Sequence, residues 1–158
     1  MKPVLYTFIA IATLIIFACK EAGTNANPGN DATKKVQTKE DSAYNAAIEI
    51  HDEVMPKMGK LIGYQRKAQQ RSDSAAMLIK KSGLAGAKEF KQRVDSLLFE
   101  LKLAEKGMND WMEGFNAEPK LPTAEERTAY FEDQKAKAIK MKSQFFAALD
   151  KAKEMLGE

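Results

Sequence analysis

The sequence predicts an all-α fold, an antiparallel three-helix bundle with a four-helix bundle as the alternative, after a signal peptide and a flexible tether. From residue 40 onward, apolar residues recur at spacings of three and four, the period of one face of a helix, and no alternating β-type pattern occurs. Breaks rich in glycine or proline at residues 82–86 and 116–122 divide this region. Short links make consecutive helices antiparallel neighbours.

The first predicted helix begins near residue 40. We call the row of apolar residues that a helix is expected to bury its seam. In the first helix the seam follows spacings of four and three residues and comprises Tyr44, Ile48, His51, Met55, Met58 and Ile62. The helix either continues to about Lys81 or breaks near Arg71, in which case residues 72–82 fold back and give the four-helix alternative. Pro56 either bends this helix or starts a new one.

The second and third helices have clearer apolar patterns. The seam of the second comprises Phe90, Val94, Leu97, Leu101, Ala104, Met108, Trp111 and Phe115. Pro119 and Pro122 then end the helix, and Thr123 with Glu126 forms a capping box for the third. The apolar residues of the third helix are Phe131, Ala138, Met141, Phe145, Ala148, Leu149, Ala152 and Met155.

The first residues have the pattern of a lipoprotein signal peptide, which we predict to be residues 1–18. Lys2 precedes an apolar run over residues 4–17, shorter than the roughly 20 residues that span a bilayer. Ile16, Phe17, Ala18 and Cys19 resemble a bacterial lipobox, although Phe17 is larger than the usual residue there. Cys19 is the only cysteine, so it forms no internal disulfide, and we predict that it is lipidated. The alternative is an ordinary signal peptide or anchor with an incidental cysteine.

Three domains follow: the signal peptide, a lipidated cysteine with a disordered tether over residues 19–39, and a helical bundle domain over residues 40–158. The tether is small and polar and cannot bury a core. Cleavage removes Lys2 and leaves 24 basic against 22 acidic residues, a balance that argues against a nucleic-acid partner. The membrane is the predicted partner, through the lipid, and a protein partner is not specified.

Residues after the cysteine suggest the location. No aspartate follows Cys19, so the common inner-membrane retention signal is missing, and Lys20 with Glu21 partly resembles a surface-export signal. We therefore expect an exported protein of the cell envelope, lipid-anchored to the outer membrane on its periplasmic or surface face.

One histidine, four methionines and the only tryptophan form the candidate site. On an ideal helix, His51, Met55 and Met58 fall within an arc of about 60°, and Met108, Trp111 and Met112 within about 100°. A turn centred near residue 84 puts Met55 at the level of residue 113 and Met58 at the level of residue 110. All six residues are then expected in one layer.

Thioethers and an imidazole are ligands that suit Cu(I) or Ag(I), and an indole face could cover the ion. The same ligand types resemble the site of periplasmic copper and silver chaperones, which are β-barrels, so the similarity is chemical. The alternative is core packing, because methionine fills irregular cores and contacts aromatic rings. At helical spacing, core packing is the default interpretation.

Other site classes fit less well. Haem is disfavoured because the candidate ligands crowd one layer and no CxxCH motif occurs. A di-iron site needs Glu-x-x-His, but Ile48 stands three residues before His51. A zinc site is disfavoured by the single histidine. No catalytic triad or phosphate loop is recognisable, so we predict that the protein is not an enzyme.

Three segments taken together resemble a known group: HDEVMPKM at residues 51–58, MNDWMEGF at residues 108–115 and YFEDQKAKAI at residues 130–139. They are similar to small helical bacterial lipoproteins often labelled viral A-type inclusion proteins, and the resemblance covers roughly residues 40–155. It implies a helical lipoprotein. The function of that group is not established, so the resemblance assigns no functional residue.

Overall fold

The computed structural model describes residues 37–157. The helices are α1 (Lys39–Val54), α2 (Met58–Ser82), α3 (Ala85–Gly114) and α4 (Ala124–Leu156), with a 3₁₀ turn at Met55–Lys57 between α1 and α2. The described part contains no strand. Because α1, the turn and α2 follow one another without a break, the fold is a three-helix bundle, as predicted.

The signal peptide, Cys19 and nearly all of the tether lie outside the described residues, so those predictions stay predictions. Among the helices of residues 37–157, none is both long enough and apolar enough to cross a membrane.

Local chemistry sets the helix ends. Thr123 and Glu126 form the predicted capping box at α4, and Thr38 and Asp41 form an equivalent one at α1. Between α2 and α3, Gly83 adopts a left-handed φ of 61°, a conformation that favours glycine. Residues 72–82 continue α2 instead of folding back, so the four-helix alternative does not occur in the described residues.

α1, the 3₁₀ turn and α2 form one continuous helical segment over residues 39–82, which we call the first rod. Pro56 tightens one turn of this rod without ending it. The proline lies in the 3₁₀ turn, and Val54, Met55 and Lys57 all keep right-handed helical angles. The Met55 amide still donates to the His51 carbonyl. A tightened turn accommodates the missing proline donor, as 3₁₀ segments commonly do.

Polar contacts between α2 and α3 confirm the predicted register about residue 84. Ser72 donates to Asp95 at 2.5 Å, and Gln65 donates to Glu105 at 2.7 Å. Each pair joins positions nearly equidistant from the turn, as an antiparallel hairpin requires.

α4 runs parallel to the first rod. Glu40 near the start of α1 pairs with Arg127 near the start of α4 at 2.9 Å, and Glu53 near the end of α1 pairs with Lys142. Such partly exposed pairs add little stability, but they define the direction and register of the two helices.

Most of the buried apolar side chains in the described residues belong to two clusters. The main cluster joins the end of α1 with α2, α3 and α4 and includes Leu61, Leu97, Leu101, Met108 and Phe145. The second is smaller and consists of Ala47, Trp111 and Ala138 from α1, α3 and α4. The predicted seams of the second and third helices are confirmed, with Phe90, Phe115 and Met155 half-buried at their margins.

The predicted seam of the first helix was wrong by one position. Met55 and Ile62 are exposed by 43% and 39%, and the side chains buried in this rod are Ala43, Ala47, Val54, Leu61, Tyr64, Ala68, Ser72 and Ala75. Small alanine side chains let α1 lie close to α4. They also contribute weakly to an apolar pattern, so the larger methionine and isoleucine side chains misplaced the seam by about 100°.

Candidate His/Met/Trp site

His51 and Trp111 form the centre of the candidate site. Their rings stack with centroids 5.6 Å apart and planes 27° from parallel. The His51 side chain is 22% exposed, whereas Trp111 is 7% exposed. The imidazole therefore lies at the edge of the bundle and covers part of a buried indole.

One ring nitrogen of His51 contacts the carboxylate of the next residue in the chain. His51 Nδ1 lies 2.9 Å from Asp52 Oδ1. Because a carboxylate only accepts, this contact favours the tautomer with the proton on Nδ1. Nε2 is then the nitrogen with a lone pair, and a carboxylate behind the imidazole is the arrangement that supports metal-binding histidines.

The indole is held firmly. Trp111 Nε1 donates to the main-chain carbonyl of Gln134 on α4 at 3.1 Å. Its ring also meets Phe115, with centroids 4.9 Å apart, and Phe115 contacts Tyr44 at 5.9 Å. The N-terminal part of α1, the end of α3 and the first residue after it therefore share one aromatic layer.

The four methionines differ in their surroundings. Met108 is fully buried in the main cluster. Met58 and Met112 are half-buried against that cluster, and Met112 also packs against the cluster of Trp111. Met55, with 43% of its surface exposed, faces outward from the rod. His51, Trp111 and Met112 are thus neighbours in one layer, whereas Met108 points into the core and Met55 toward solvent.

The acidic side chain next to Trp111, Asp110, is paired on the surface. Asp110 accepts from Lys106 one turn earlier, at 2.5 Å. In the part of the chain from residue 37 to 157, no group of three or more histidine, cysteine, aspartate or glutamate side chains is arranged to hold a metal ion. A metal at this site would therefore depend on thioethers and the single imidazole.

Trp111 also borders a groove that the sequence did not indicate. The groove has a volume of about 410 Å³ and lies between α3 and α4. Its lining comprises Gly107, Asp110, Trp111, Gly114, Gln134, Lys137, Lys140, Met141 and Gln144. A Cβ added at Gly107 would lie 3.9 Å from Met141 Cγ, an ordinary van der Waals contact, so the groove would accept a methyl group at this position. The sequence feature that could have indicated this groove is the pair Gly107 and Gly114, which lie seven residues apart on one face of α3.

The candidate site thus contains a ring stack, one adjacent thioether and a groove that the indole borders. These features can pack a core, present a shallow surface to a partner, or offer soft donors at the bundle edge. Comparisons of the chain with protein-family models, curated proteins and solved structures found no match.

Proposed function

We propose that the protein is a lipid-anchored structural or partner-binding bundle of the bacterial cell envelope, in which the His/Met/Trp layer is core packing. The observation that carries the packing interpretation is the division of the methionines: Met108 is fully buried, whereas Met55 is 43% exposed. Side chains that face opposite directions do not form one coordination sphere. Cys19, in a lipobox-like sequence, supports the anchor.

The surroundings of Trp111 also support packing. Its one donor is used by Gln134, and aromatic rings cover the indole. Met108 lies in a cluster with Phe145 and Met141, where a flexible thioether fills space that a branched side chain would not match. The buried polar atom of this layer, Trp111 Nε1, is thus satisfied within the protein and needs no ligand.

Conservative substitutions test the packing interpretation. Met108→Leu and Met112→Leu conserve volume, so each should change the free energy of unfolding by less than about 1.5 kcal/mol. Trp111→Ala removes a buried ring and should cost about 3–5 kcal/mol. Urea unfolding followed by circular dichroism measures both effects. A large loss from Met112→Leu alone would argue that the sulfur has a role beyond filling space.

The anchor has its own test. Wild-type chain expressed in a bacterium that processes lipoproteins should incorporate a labelled fatty acid and sediment with membranes. Cys19→Ser should lose the label, and Ser42→Ala, an exposed change in α1, is the matched control. Labelling that persists in Cys19→Ser would contradict the lipid anchor.

A second candidate function is binding of Cu(I) or Ag(I) at the edge of the same layer. The observation that favours it is the Asp52 contact, which leaves Nε2 of His51 as the donor. Met55, one turn after His51, is exposed, and Met112 packs beside Trp111. These groups would supply soft donors, with the indole as a neighbour of the ion.

Titration separates the two candidates. Residues 20–158 are titrated with Cu(I) in the presence of a competing chelator while Trp111 fluorescence is recorded. Metal binding predicts stoichiometric quenching that is lost in Met55→Leu/Met112→Leu and kept in Met77→Leu, an exposed control at the far end of α2. Packing predicts no quenching above that of free tryptophan, and a double variant as stable as the wild type.

A further inference from the structure

The turn between α2 and α3 extends beyond the end of α4. Residues 77–90, the hairpin tip, comprise the end of α2, Gly83, Leu84 and the start of α3. α4 ends at Leu156, which lies beside Gln70, Arg71 and Ser74. The last eight residues of α2 and the first turns of α3 therefore project past the end of α4 as a two-helix hairpin.

Large apolar side chains are exposed on this tip. Met77, Leu78 and Leu84 are exposed by 62%, 53% and 58%. Single exposed apolar residues are ordinary on a protein surface, but these three lie within eight residues of one another at one end of the molecule. Leu84 occupies the apex, immediately after the left-handed Gly83.

The charge beside these side chains is positive. Residues 77–90 contain Lys80, Lys81 and Lys88 against one acid, Glu89, a net charge of +2. All three lysines are exposed. From Met77 to the turn the helix rises about 9 Å, comparable with the 5–10 Å to which interfacial helices bury their apolar face.

We propose that the hairpin tip inserts into an anionic bilayer surface, with Leu84 entering first and the lysines contacting lipid phosphates. A bilayer fits better than a protein groove because the apolar residues form a convex end rather than a surface that encloses a side chain. It fits better than a second copy of this chain because two like-charged tips would repel each other. Lysine stems can lie along apolar surface while their ammonium groups stay at headgroup level, and anionic lipids attract such clusters.

A local probe tests the proposal in the chain that follows the predicted signal peptide, residues 19–158. Gly86→Cys in a Cys19→Ser background provides a single thiol at an exposed position where an added Cβ meets nothing within 4 Å. It is labelled with an environment-sensitive fluorophore and mixed with vesicles containing phosphatidylglycerol, or with vesicles of phosphatidylcholine alone. The matched control carries the same label through Ala117→Cys, an exposed position in the α3–α4 link.

Insertion predicts a blue-shifted emission at residue 86, quenched by nitroxide lipids, with phosphatidylglycerol and not with phosphatidylcholine alone. Residue 117 should not respond. Leu84→Glu and the pair Lys80→Glu/Lys81→Glu should each lower partitioning by at least about tenfold, while Phe99→Glu, on an exposed side chain in the middle of α3, should leave it unchanged. Circular dichroism verifies that each variant is folded.

Several outcomes would overturn the proposal. Equal signals at residues 86 and 117 would show that the tip has no specific role. Equal partitioning into both lipids would remove the electrostatic component, and an equal loss in Phe99→Glu would assign the effect to general surface hydrophobicity. A blue shift that rises with protein concentration without vesicles, together with a dimer in gel filtration, would identify a second copy as the occupant.

Discussion

The packing of α1 against α4 can be tested by enlarging one alanine. Ala47 has no exposed surface and shares a cluster with Trp111 and Ala138. Ala47→Leu adds three carbon atoms where neighbouring helices leave no room, and overpacking of this kind costs about 1–3 kcal/mol. For a domain of this size, about 2 kcal/mol corresponds to a fall of roughly 6–10 °C in the midpoint of thermal unfolding.

Truncation of Met55 tests the same packing from the exposed side of the first rod. The apolar pattern put Met55 in the core, where truncation to alanine would cost about 2–5 kcal/mol. Since 43% of its surface is exposed and alanine is the better helix former, we expect Met55→Ala to cost about 1 kcal/mol or less. Asn45→Leu, which adds an apolar side chain on the exposed face of α1, should stay within about 0.5 kcal/mol of wild type.

Thermal and urea unfolding, followed by circular dichroism, give these differences. Trp111 fluorescence provides a local signal, because an expanded cluster around Ala47 should move the indole emission to longer wavelength. If Met55→Ala destabilises the protein more than Ala47→Leu, α1 is rotated relative to the arrangement described, and the alanines do not form its buried face.

Other predictions concern single positions. Dilute peroxide should oxidise Met77, 62% exposed, well before the fully buried Met108, as read by peptide mass spectrometry, and equal rates would contradict the difference in burial. Gly83→Ala should cost about 1–2 kcal/mol because φ is 61°, and an unchanged urea midpoint would argue against the left-handed turn. Hydrogen bonds, first that from Lys91, hold the pKa of Asp95 below its usual 3.8. A lowered folded-state pKa stabilises the protein above the ordinary pKa, and this effect is lost as pH falls through the folded value. The urea midpoint of wild type should therefore exceed that of Asp95→Asn near neutral pH, with the difference shrinking below about pH 4; a constant difference would contradict it.

The sequence predicted the second and third helices well because their interior positions are large. Val94, Leu97 and Leu101 form one side of the core at regular spacing, and Phe145 faces them from α4. The capping residue Thr123 lies between a proline-rich link and an apolar run. When local and interior signals agree, the helix limits and its buried face follow with little ambiguity.

The candidate site was less predictable because it depends on helix rotation. A shift of one position turns a side chain by about 100°, which moves Met55 from the expected layer to the surface. Ala43 and Ala47, which determine that rotation, have the least distinctive side chains in α1. The position of His51 along the bundle axis was predicted better than the rotation of its helix, since His51 contacts Trp111 on α3.

The two ends of the bundle differ in a way that makes the two ligand hypotheses independent. Near the start of the first rod, α1, α3 and α4 all contribute to the layer of His51 and Trp111. At the other end α4 has already stopped, and the hairpin tip exposes Leu84. From His51 to Gly83 the rod rises about 48 Å, and substitutions so far apart without shared contacts act additively. Leu84→Glu should therefore leave any Cu(I) affinity unchanged, and Met112→Leu should leave bilayer partitioning unchanged. Because neither proposal depends on the other, failure of one in its assay would leave the physical case for the other intact.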